Sequence, residues 1–123
     1  MKFLAFCLLL TATLIADSFK LNNETSFPKI SVEWASSARE AQEKNEALMQ
    51  GEATNPLKLY SPNGAKSKIA IPKDAAYFRI LVWKGQGTLP ELLTNWVEII
   101  PDKTYLLKDE HLTPVLLMNG MGC

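Results

Sequence analysis

Acid–base chemistry in this sequence gathers at one place, Lys108-Asp109-Glu110-His111, which holds the chain's one histidine. An imidazole beside two carboxylates is the raw material of a general base, and with a nucleophile it would make a small hydrolase using His111 with Asp109 or Glu110. The pattern stops there. No serine lies in a Gly-x-Ser-x-Gly elbow, and no second segment is marked as supplying a nucleophile or an orienting group. The plainer reading of His111 is an exposed loop residue. Side chains of consecutive residues diverge and the calcium-loop spacing is missing, so Asp109, Glu110 and His111 predict no metal site. No cofactor is expected either. Gly85-Gln86-Gly87 lacks the remaining glycines and the Lys-Ser/Thr pair of a phosphate loop, and reads as a tight turn.

The aromatic residues are the better lead. Strict alternation in Trp96-Val97-Glu98-Ile99-Ile100 puts Trp96 on one face with Glu98, and alternation in Tyr77 to Trp83 puts Trp83 on one face with Arg79. A charge on the same face marks that face as solvent-facing or at an edge. Trp83 and Trp96, framed by Arg79 and Glu98, are therefore the candidate centre of a partly exposed patch that contacts a protein or glycan partner. The competing reading is ordinary packing, because a small domain without disulfides needs large side chains in its core.

Holding such a patch requires a frame, and Tyr77 to Trp83 is its centre: aromatic, β-branched or Leu at every position but Arg79. Phe78, Ile80 and Val82 share one face of this strand, and Tyr77, Arg79, Leu81 and Trp83 the other. Arg79 must lie near an end, reach water along its stem or meet a carboxylate, since an isolated buried charge is too costly. Phe27 to Trp34 reads as a half-buried strand with Pro28, Ile30, Val32 and Trp34 on one face, and Pro28 suggests an edge or first position. The period then changes. Ser37 followed by Glu40 forms a capping box for a helix over 37–50, with Ala38, Ala41, Asn45 and Leu48 along the side that packs, helped by Met49 and Trp34.

Beyond the helix the chain reads as β structure. Ser61-Pro62-Asn63-Gly64 predicts a hairpin between strands at 57–60 and 66–72. A second capping box, Thr88-Leu89-Pro90-Glu91, predicts one or two helical turns through Leu93. Trp96 to Ile100 and Thr104 to Leu107 read as paired strands around a turn at Pro101-Asp102-Lys103, and Val115 to Met118 as a last strand. The expected fold is mainly β: a small antiparallel β-sandwich or strongly curved sheet with one inserted helix. The alternative is an α+β open sheet with that helix across one face.

Met1-Lys2 followed by an apolar run to Ala16 and small residues through Ser18 reads as a signal peptide over 1–18, leaving one β-rich domain over 19–123 with a fraying tail. The expected location is secreted or periplasmic, with no transmembrane anchor. After removal of Lys2 and Asp17, twelve basic and twelve acidic residues remain, interspersed, which gives no electrostatic footprint for nucleic acid. Cys7 leaves with the leader, so Cys123 is the remaining thiol and could join a disulfide-linked partner. Asn23-Glu24-Thr25 has the form of a glycosylation acceptor. Strands and aromatics without a catalytic constellation favour an exported, non-enzymatic binding or assembly protein. A small secreted hydrolase using His111 and an inhibitor of a secreted enzyme are the alternatives.

Overall fold

The computed structural model describes residues 17–52, 58–85 and 87–115, which form two β-sheets and a single α-helix. The first sheet has three strands in the order β4 (Ala65–Ala70), β1 (Ser18–Asn23), β8 (Thr104–Leu107). In the second, β3 (Lys58–Tyr60), β2 (Lys29–Ala35), β5 (Tyr77–Val82), β6 (Leu92–Leu93) and β9 (Thr113–Pro114) lie in that order, and β7 (Val97–Glu98) also pairs with β5. All pairings are antiparallel except β1 with β8. The helix α1 (Ala38–Met49) begins where the Ser37 side chain accepts from the Glu40 amide, while the Glu40 carboxylate accepts from Ser36 N.

The fold is the expected mainly β, sandwich-like pair of sheets with one inserted helix and not a single open sheet, and β5 is covered on both faces, by the first sheet on one and by α1 on the other. The antiparallel register sets Ile30 opposite Val82, Val32 opposite Ile80 and Trp34 opposite Phe78, and this face meets Phe19, Leu21, Ile69 and Leu107 of the first sheet. Phe19 and Phe78 lie 4.6 Å apart between ring centroids, with Tyr105 edge-on to both, so the sheets lock through an aromatic cluster. On the opposite face α1 places Leu48 against Leu81, Trp83 and Leu93. The helix stripe is as expected, with Ala41 and Leu48 buried, but Trp34 packs between the sheets rather than under the helix.

Several expected neighbours change. The turn at Pro62 to Ala65 forms, with Gly64 at φ 85° and Ala65 N donating to Pro62 O, yet it does not make a hairpin. β3 pairs with β2 and β4 with β1, so this turn carries the chain from one sheet to the other. The turn at Ile100 to Lys103 does the same. Pro101 precedes Asp102 at φ 66°, and the strand that follows joins β1 in place of returning on β7. β2 is interior; Pro28 lies just before it, and its carbonyl accepts from Ser61 N at 2.7 Å. The second capping box builds no helix. Glu91 instead accepts from the amides of Lys84 and Gly85, while its own N–H donates to Val82 O and carries Leu92 and Leu93 into the ladder with β5. The last strand begins earlier than expected, at Thr113, and residues 116–118 lie outside those described.

Candidate functional site

The helix-covered face of β5 carries the charge that sequence alternation places there. Glu33 and Arg79 stand directly opposite each other on β2 and β5, and both are buried. Arg79 Nε donates to Glu33 Oε1 at 2.6 Å, and Nη1 donates to Asn45 Oδ1 of α1 at the same distance. Burial lowers the Arg79 pKa, opposed by the charge and hydrogen bond of Glu33, and a guanidinium keeps its proton throughout the neutral range. Nη2 has no hydrogen-bond partner.

Trp96 completes this group because of a bulge. Thr94 bonds to Ile80, donating its N–H to Ile80 O and accepting from Ile80 N through its hydroxyl, while Val97 stands opposite Phe78. Three steps on one strand therefore match two on β5, and the extra residue reverses the alternation set by Leu93. The result is that Trp96 faces Arg79. The guanidinium carbon lies 4.5 Å from the centroid of the indole ring, and Trp96 Nε1 donates to Asn45 Oδ1 at 3.1 Å. Asn45 thus accepts from both Arg79 and Trp96.

Trp96 and Tyr77 remain half-exposed. With Ala38, Ala41, Gln42 and Asn45 they line a recess of about 250 Å³ beside the first turns of α1. This is a partly exposed aromatic cluster of a kind suited to contact with another molecule.

The four expected patch residues separate. Trp83 is not exposed: only 3 % of its surface reaches solvent, and it sits with Leu48, Leu81 and Leu93 while Nε1 donates to Thr88 O. Its sharing a face with Arg79 is as expected, but that face is covered by α1 and its charge is neutralised by Glu33, so a charge there did not mean solvent. Glu98 is exposed and stands opposite Tyr77. Arg79 supports the recess from within, and Trp96 is the patch residue that lines it. Sequence reasoning missed Glu33 and the role of Asn45. The available signals were one acid between two apolar neighbours, Val32 and Trp34, on a strand and one amide on an alanine-leucine stripe.

His111 lies in a 3₁₀ turn, Asp109–His111, and all three residues of the turn are exposed. Its Nδ1 accepts from Lys108 N at 3.1 Å, so a backbone amide, not Asp109 or Glu110, orients the ring. Among the described residues no group of three or more His, Cys, Asp or Glu side chains is placed to hold a metal ion, and no helix is long and apolar enough to cross a membrane. Cys7 and Cys123 lie outside the described residues.

Asn23 is fully buried. Its amide nitrogen donates to Phe27 O and Ser61 O, and its oxygen accepts from Thr25 N and Oγ1. These bonds brace the β1–β2 connection against the Ser61 segment, and a glycan on Asn23 is incompatible with them.

A concavity of about 540 Å³ lies between Leu48 and Met49 at the end of α1, Pro90 and Leu92, and Pro114 and Val115. It is mostly apolar, with Lys84 and Glu91 among its lining residues. No protein-family model matches the chain, and no curated protein matches it.

Proposed function

We propose that the protein is an exported, non-enzymatic binding or assembly protein that engages its partner at the Trp96 recess. The observation that carries this reading is an indole held on its face by Arg79 and at its nitrogen by Asn45 while it stays half-exposed. A side chain ordered before binding loses little conformational freedom on contact, and rigid aromatics in shallow recesses are the usual anchors of recognition. Tyr77 adds a second ring and Gln42 a side-chain amide. A protein side chain or a sugar ring stacked on Trp96 suits that combination. Export rests on the leader-like residues 1–18.

The test compares capture from the native extracellular or periplasmic fraction by the unmodified protein and by Trp96→Ala. A partner retained by the first and released by the second supports the reading, while equal capture contradicts it. An inhibitor of a secreted enzyme would act through the same recess, and would show stoichiometric loss of that enzyme's activity that Trp96→Ala abolishes. Turnover lost in His111→Ala would establish catalysis instead.

A further inference from the structure

A different opening lies on the other face of β5. Beside β8, an edge of the three-stranded sheet, and near β7 with its bulge, a cavity of about 210 Å³ reaches into the core between the sheets. Leu21, Phe78, Ile80 and Leu107 form its buried wall. Val97 and Leu106 stand at its mouth, 36 % and 41 % exposed.

The polar groups of its lining are already committed, with one exception. The Thr94 hydroxyl accepts from Ile80 N and donates to Asn95 O, and the Tyr105 hydroxyl accepts from Ile100 N and donates to Glu98 O. His111 also lines the cavity, and its Nδ1 accepts from Lys108 N. A neutral imidazole whose Nδ1 accepts carries its hydrogen on Nε2. The cavity therefore combines an apolar interior with one available donor on an exposed ring at its mouth.

We propose that this inter-sheet cavity binds a small carboxylic acid with an apolar body, the body lying against Phe78, Ile80 and Val97 and the carboxylate accepting from His111 Nε2. An apolar cavity of about 150 Å³ takes a benzene-sized molecule, so this one suits a ring or a chain of roughly six to eight carbons. Burial of the apolar body supplies affinity, and the donor sets which end faces out. The site is independent of the Trp96 recess, which lies on the opposite face of the sheet.

Octanoate is the probe, titrated into the full chain and followed by NMR. Saturable one-to-one binding should shift the signals of Phe78, Ile80, Val97 and His111 and leave Trp96 unmoved. Octylammonium, with the same chain and the opposite charge, should bind at least tenfold more weakly, and His111→Ala should reduce that preference about three- to tenfold by weakening octanoate. Val97→Asp, at a partly exposed position, should weaken octanoate tenfold or more. The proposal is overturned if octanoate does not saturate, if its shifts fall at Trp96 and Tyr77, or if octylammonium binds as tightly as octanoate. The shifts in the unmodified protein decide the matter even if Val97→Asp fails to fold.

Discussion

The two faces of β5 are built from one alternating sequence and solve burial in different ways. Toward the three-stranded sheet, Phe78, Ile80 and Val82 meet other apolar side chains, and stability there is a matter of area and fit. Toward α1, Leu81 and Trp83 form a smaller apolar cluster, while Arg79 is buried with Glu33 and bonded to Asn45. The first face is tolerant of chemistry but not of lost volume. The second tolerates no single change of charge, because either partner alone would be an uncompensated buried ion. It is also the face that ends in a half-exposed aromatic, so the ion pair is tied to the recess as well as to the fold.

The largest expected effects break this comparison at its extremes. Glu33→Ala strands Arg79 and should cost about 3–5 kcal/mol in denaturant unfolding, whereas replacing both partners together, Glu33→Leu with Arg79→Met, should restore most of that loss or exceed the parent. A double variant as unstable as Glu33→Ala would show that the two charges do not act as a pair. Trp83→Ala, in the apolar part of the same face, should cost roughly 3–5 kcal/mol with no rescue available from a neighbouring charge. Unfolding little changed by that substitution would mean that the contact with Leu48 and Leu93 contributes little. Ser37→Ala removes the cap of α1 and should cost about 1 kcal/mol. Amide exchange in α1 is the sensitive readout, and exchange unchanged there would contradict the assigned cap.

Much of this arrangement was legible in the sequence, and the failures have a common physical origin. Alternation correctly assigned the faces of β2 and β5, and the Ser37 and Glu40 spacing located α1, because both signals are local. Turn chemistry at Ser61 to Gly64 and at Pro101 to Lys103 was also read correctly as turns. What those residues encode is a backbone reversal, not the sheet that the next strand joins, and both turns cross between sheets. The Thr88-to-Glu91 pattern failed because Glu91 found backbone amides of Lys84 and Gly85 in place of a helix start. Alternation marks Trp96 as a surface candidate, but its apposition to Arg79 depends on a bulge that no residue type announces. The expected exposure of Trp83 fails because it rests on Arg79 without its partner, and the opposing Glu33 lies 46 residues away in the chain.

The most direct test of the account sets Trp96→Ala against the unmodified protein in two measurements on the same preparations, unfolding free energy and partner capture from the exported fraction. Loss of the indole stacked on the Arg79 guanidinium should cost only about 1 kcal/mol of folding stability, while loss of a central aromatic anchor should weaken capture by about 2 kcal/mol or more, some thirtyfold. A folding loss of the size expected for Trp83→Ala, with capture unchanged in the fraction that remains folded, would make Trp96 a packing residue and contradict the assignment of the recess as a binding site.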